Sequence, residues 1–205
     1  MNNYNLGYAC INKSFSELPK KQRITTNRGM IRRTFLEKGL PYVSELALAN
    51  CQDLYKILQW NKKNDIHFFR MSSGLFPWGS EYAFEDLPDY EAIAETLYEC
   101  GLFAAENDIR ITTHPDHFNK LTSPKESVIL NTIKDLELHG RMFDLMCLAS
   151  SPYAKINIHV GAAYDDKQMA LDNFCKNFKR LSESVQSRLT VENDDKPSLY
   201  TVREL

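Results

Sequence analysis

The sequence predicts an α/β fold built of repeating strand–helix units around a parallel sheet. Three observations predict it. Short apolar runs recur at intervals of roughly 40 residues, and a stretch of helical periodicity follows each one, which is the pattern of βα units. Three of these runs end on a residue able to hold a metal: residues 109–113 lead into His114, residues 154–158 into His159, and residues 188–191 into Glu192. There is no Gly-x-Gly-x-x-Gly and no Gly-Lys-Ser/Thr phosphate loop, so no nucleotide cofactor is expected.

Taken along the chain, residues 4–10 read as the first strand. Residues 12–33 form a polar loop, long for a connection, in which Lys13, Lys20, Lys21, Arg23, Arg28, Arg32 and Arg33 offer phosphate contacts. Residues 44–61 place Leu46, Leu48, Leu54, Ile57 and Leu58 at helical spacing, and residues 66–71 form a compact apolar strand. A loop rich in Ser, Gly and Trp spans 72–88, and a helix over 90–107 leads to the strand at 109–113. Ser123-Pro124-Lys125-Glu126 has the form of a helix start, with Ser at the cap, Pro first and Glu three residues after the Ser; that helix runs to about Leu148. A strand at 154–160, a helix at 165–181 and a strand at 189–191 follow, and Pro197-Ser198-Leu199 opens a last helix. Both an eight-stranded barrel and an open doubly wound sheet accommodate this order. A barrel typically takes ~250 residues. The chain has 205, so residues 1–205 are expected to form a single partial domain, a fragment or a shortened member with edges to cover.

Composition sets limits on function. A net charge of −2 gives no overall basic character, so any phosphate affinity must be local. Five cysteines, odd in number and never in a CxxC pair, argue against a disulfide framework or zinc ribbon and suit a reducing cytosol. No apolar stretch approaches the ~20 residues of a membrane span. Residues 1–11 lack a signal-peptide core, so a cytoplasmic location is expected, with no membrane partner.

Parallel strands in such folds bring their C-terminal ends to one face, where active sites are built. Two imidazoles and a carboxylate meeting there suit Zn, Mn or Fe, with water completing the shell. Glu81, in Trp78-Gly79-Ser80-Glu81-Tyr82, is a candidate fourth ligand, although a solvated loop carboxylate is the commoner case. Asp195 is read as a helix cap, Asp194 is open between cap and ligand, and Asn193 is placed to orient a ligand. In His114-Pro115-Asp116-His117-Phe118, the aromatic can stack on a base or wedge into a duplex, or simply anchor the loop. His67 and His139 read as structural, His139 complementing a helix dipole before Gly140.

These segments together resemble the UV-damage endonuclease family. The matching stretches are Leu6-Gly7-Tyr8-Ala9-Cys10-Ile11-Asn12, Thr25-Thr26-Asn27-Arg28, Phe69-Arg70-Met71-Ser72-Ser73 and Thr113-His114-Pro115. Ser123-Pro124-Lys125-Glu126, Asn157-Ile158-His159-Val160-Gly161-Ala162-Ala163-Tyr164 and Leu189-Thr190-Val191-Glu192-Asn193-Asp194-Asp195 continue them in order across nearly the whole chain. The resemblance implies a TIM barrel of the (β/α)8 type, with only about five βα units present here. It implies a metal-dependent DNA repair enzyme that nicks duplex DNA 5′ to UV photoproducts, associated with the nucleoid. Its cofactors would be divalent ions, usually Mn²⁺, up to about three in the family and fewer here. By the same resemblance His114, His159 and Glu192 are catalytic metal ligands, with Glu192 shared between ions. Glu81 falls where some members carry a ligating His. Tyr8, Asn12, His117 and Phe118 fall at lesion-binding positions; many relatives carry Gln-Tyr where His117-Phe118 stands. Members continue through three further strands whose ligands lie beyond Leu205, so a truncated, inactive DNA-binding remnant is one rival reading. The other is a metal-dependent sugar isomerase or epimerase of the same barrel superfamily, which would not need Tyr8 or the His117-Phe118 wedge.

Overall fold

A computed structural model describes residues 5–150, 152–164, 166–194, 196 and 198–205. The strands are β1 (Gly7–Ala9), β2 (Phe68–Met71), β3 (Arg110–Thr113), β4 (Ala154–His159) and β5 (Leu189–Glu192). They form one five-stranded sheet in the order β1-β2-β3-β4-β5, every pair parallel. Sequential order settles the two architectures left open by periodicity. A doubly wound sheet reverses its strand order at a switch point, whereas a barrel adds each strand beside the last. The sheet is therefore the arc of a partial TIM barrel.

Alternation along the strands sorts the two faces. Phe69, Met71, Ile111, Ala154, Ile156 and Ile158 point into the core, joined by Leu54, Leu58, Leu97 and Phe143 from the helices. Arg70, Thr112, Asn157, His159, Thr190 and Glu192 occupy the opposite, concave side by the same alternation. The helices are α1 (Lys13–Ser16), α2 (Arg32–Lys63), α3 (Tyr90–Glu106), α4 (Glu126–Leu145), α5 (Lys167–Phe178) and α6 (Glu183–Arg188).

Several boundaries depart from expectation. The helix predicted from Ser44 begins at Arg32 and passes a break at Gly39, whose φ of 62° is non-helical, just before Pro41. Pro41 lacks an N–H and crowds the preceding turn, so two helical pieces meet there. The segment at 12–33 holds α1 and a 3₁₀ turn at Lys20–Gln22. The predicted cap at Ser123 is displaced: α4 starts at Glu126, and Ser123 Oγ accepts from the Lys125 N–H at 3.1 Å in a local turn. The predicted helix over 165–181 ends at Phe178, and α6 forms separately behind the Ser182 cap. Residues 198–205 form turns rather than the last predicted helix. Tyr4, Asp165, Asp195 and Pro197, where the first strand, a helix and a cap were placed or opened, lie outside the described residues.

The long first loop is tied down by buried polar side chains. Asn50 of α2 accepts from the Arg28 N–H and donates to the carbonyls of Arg28 and Leu75. Asp53 is 5% exposed and bonds Arg28 at 2.5 Å, Lys56 at 2.8 Å and the Thr25 N–H at 3.0 Å. Burial works against its charge, but the bonds from Lys56, Thr25 and Arg28 outweigh this and hold the carboxyl below the usual range. A depressed folded pKa means stability present above the ordinary value near ~4 and lost as pH falls through the folded pKa. Asp53→Ala should therefore cost about 3 kcal/mol at neutral pH, the low end for a broken buried pair because Arg28 and Lys56 are partly solvated. Urea melts at several pH values check this: the gap between variant and wild type should close in acid. A constant gap would contradict it.

Candidate metal centre

Parallel pairing sets β3, β4 and β5 side by side, with His159 directly opposite Glu192 and Thr113, just before His114, opposite Ile156. His114 follows β3 by one residue. Glu192 Oε1 lies 3.0 Å from His114 Nε2 and 2.9 Å from His159 Nε2. The two rings sit 5.4 Å apart at 63°. One ligand atom from each residue falls within a 4.8 Å cluster. A tetrahedral ion with bonds of about 2.1 Å holds neighbouring ligand atoms roughly 3.4 Å apart, so this spacing suits a single ion.

The hydrogen bonding sets the ligand atoms. Nδ1 of His114 faces the Pro115 carbonyl at 3.0 Å, and a carbonyl can only accept, so Nδ1 carries the proton. Nε2 of the neutral ring is then a bare lone pair facing a carboxylate. Acceptor against acceptor is repulsive unless a proton or a cation lies between, and an imidazole, imidazole, carboxylate set is a cation's donor set. Glu192 is partly buried, which opposes its charge; the bond from Asn157, the bond from His114 when a proton fills that gap, and the charge the two imidazoles then carry overcome it and draw its pKa down. Ionised Glu192 is the form a metal needs. Behind His159, Asp194 Oδ1 lies 3.1 Å from Nδ1, as an ion-pair contact without hydrogen-bond alignment. Carboxylates in that position orient metal-binding histidines.

Glu81 is not in this cluster. It ends a 3₁₀ turn, Gly79–Glu81, and meets Arg32 at 3.4 Å, with Arg32 stacked over Trp78. Tyr8 shares its face with Phe69 by register, its ring 5.0 Å away, and its hydroxyl donates to Asn61 at 2.7 Å. Asn12 donates to that hydroxyl and caps α1 through its side-chain oxygen. Both are thus held in place at the end of β1, where they line a shallow cavity of about 200 Å³. His117 and Phe118 stand out on the β3–α4 loop, rings 4.1 Å apart, Phe118 71% exposed. His139 complements no helix end: it lies within α4, 1% exposed, where burial pushes its pKa down. Arg28, Arg32 and Arg33 of the basic loop are engaged by Asp53, Glu81 and Glu37.

Asn157 and Thr190 were not anticipated. Asn157 Nδ2 donates to Glu192 Oε2, and Thr190 Oγ1 donates to Asn157 Oδ1 at 3.0 Å. Alternation was the available signal, since Asn157 sits two residues before His159 on the same face. Beside the imidazoles a cleft of about 360 Å³ opens, bordered by His117, Lys120, Asp194 and Lys196.

Strand-end histidines and a carboxylate, a group that could hold a metal ion, on a parallel barrel arc define an α/β-barrel protein with a candidate metal centre. The chain belongs to the UV-endonuclease UvdE family, whose sequence model matches residues 4–205. It is 37% identical to a UV-damage endonuclease of Schizosaccharomyces pombe over 93% of this chain and 31% of that protein. It is 35% identical to a UV DNA damage endonuclease of Clostridium perfringens over 93% of this chain and 43% of that one. The solved structure of SacUVDE superposes with a TM-score of 0.79 and 32% identity, covering 94% of this chain and 61% of that chain. The chain thus spans less than half the length of these two curated relatives. Among the described residues no helix is long and apolar enough to cross a membrane.

Proposed function

We propose that this chain carries the metal-binding part of a UV-damage endonuclease, which nicks duplex DNA 5′ to UV photoproducts with divalent ions, foremost Mn²⁺. The observation that carries this reading is the His114–Glu192–His159 cluster at the C-terminal strand ends. Its two imidazole nitrogens and Glu192 Oε1 would hold the ion. A divalent ion so held supplies an activated water and charge to offset the phosphate.

The other parts belong to the chain itself. Lys120 and Lys196 border the cleft and draw a phosphodiester toward the imidazoles. His117 and Phe118 present a pair of tilted rings to the duplex, where damaged, weakly stacked bases cost least to displace. Tyr8 and Asn12, fixed to each other and to α2, provide a rigid wall for the lesion. Glu81 is a further candidate ligand, since its exposed pair with Arg32 is weak enough to yield to a cation. An exposed aromatic beside basic residues suits DNA at a repair site and is not needed by a sugar isomerase.

The test offers the purified protein Mn²⁺ and two duplexes, one carrying a single photoproduct. Selective nicking of the damaged strand is expected; equal or absent cutting would overturn the assignment of activity to this chain. Phe118→Ala should weaken binding to the damaged duplex by about 1–3 kcal/mol, the worth of one base–aromatic stack, without changing the melting temperature. Fluorescence anisotropy with both duplexes measures it, and unchanged affinity would remove Phe118 from the interface.

A further inference from the structure

We infer that Asn157 is a positioning residue that fixes which oxygen of Glu192 faces the imidazoles, with Thr190 locking its amide; this rests on the metal reading above. The amide spans β4 and β5, bonding Glu192 Oε2 through Nδ2 and receiving the Thr190 hydroxyl on Oδ1. The Thr190 hydroxyl also reaches the Ile156 carbonyl at 3.3 Å. The ionised Glu192 carboxylate can only accept, so it takes the NH₂ and leaves Oδ1 to the Thr190 hydroxyl; the flipped amide would set oxygen against oxygen. The NH₂ is thereby aimed at the carboxylate.

The consequence lies on the other oxygen. With Oε2 occupied by an N–H donor, Oε1 alone is left to both Nε2 atoms, at 3.0 and 2.9 Å. Asn157 therefore presets Glu192 as a ligand through one oxygen and prevents the carboxylate from rotating to offer both. Register supports this division of labour, since Asn157 pairs with Thr190 and His159 with Glu192 on adjacent rungs. The lower rung holds the upper one in place. Outer partners of metal ligands typically contribute about 10–100-fold to affinity.

The experiment titrates the metal-stripped full chain with Mn²⁺ alone, read by calorimetry and by the electron paramagnetic resonance signal, with thermal melts of each metal-free protein alongside. Asn157→Leu keeps the branching of the side chain but removes the donor. It is expected to lower Mn²⁺ affinity about 10–100-fold and alter the resonance signal of the bound ion. Thr190→Val should produce a smaller loss in the same direction, and Thr190→Ser, which keeps the hydroxyl, should restore wild-type affinity. Equal affinity in Asn157→Leu and wild type would overturn the positioning role while leaving the metal site standing. No uptake by the wild type would overturn both. If Asn157→Leu does not fold, Thr190→Val decides: unchanged affinity there overturns the inference. An affinity loss fully matched by loss of metal-free stability would likewise count against it.

Discussion

Glu192→Gln is expected to abolish metal retention and with it any nicking of damaged DNA. Gln matches Glu in size and can still meet Asn157, so the strand ends should keep their arrangement. What disappears is the charge. Glu192 supplies the anionic oxygen between His114 Nε2 and His159 Nε2, and without it two neutral nitrogens must hold a divalent cation alone. The loss should exceed the roughly 10–100-fold that removal of an outer partner costs, because the first-bound group itself has lost its charge. Metal content per chain after desalting, together with nicking of a photoproduct duplex, measures both consequences. Retained affinity would show that the carboxylate is not a ligand. Retained metal with lost nicking would move Glu192 from binding to a later role.

The His114–His159–Glu192 cluster was legible in the sequence because each part is local. A strand in a βα repeat ends at the catalytic face, so a His or Glu after an apolar run is placed by period and topology together. The partners that shape the cluster were not legible. Asn157 and Thr190 are ordinary strand residues until register sets one against the other across β4 and β5. Tyr8 and Asn12 were legible only through the family resemblance, and their bonds to Asn61 and the α1 cap emerge only once the chain is folded. The helix at Ser123 was misplaced for a related reason. Ser, Pro and Glu had the spacing of a capping box, yet Ser123 is buried and bonds Lys125 two residues on, so the helix waits until Glu126. Local motif grammar sees spacing and cannot see which side chain the core has already claimed.

Gly101 shows the same limit in the packing, and its replacement should have the largest effect on the fold. In a solvent-exposed helix Gly→Ala stabilises by about 1 kcal/mol, since alanine loses less backbone freedom. Gly101 lies in α3 between Leu97 and Ala104, and there the sign should reverse. A Cβ at Gly101 would stand 1.8 Å from the Met146 carbonyl oxygen and 2.7 Å from its carbon. Both are backbone atoms at the C-terminal cap of α4, so no side chain can swing aside. Relief requires α3 and α4 to separate, opening the layer that packs Leu97, Phe143 and Met146. Overpacking costs typically ~1–3 kcal/mol and more where rigid atoms collide, so Gly101→Ala should destabilise by about 3 kcal/mol despite its better propensity. The chain passes from α4 directly to β4, so the displacement also disturbs His159 and should weaken metal uptake. Gly29→Ala is the control, because a Cβ there meets nothing within 4 Å, and its effect should be near zero. Urea unfolding of both variants decides the matter: a Gly101→Ala protein as stable as wild type would mean that α3 and α4 approach less closely in solution than their helix backbones require here.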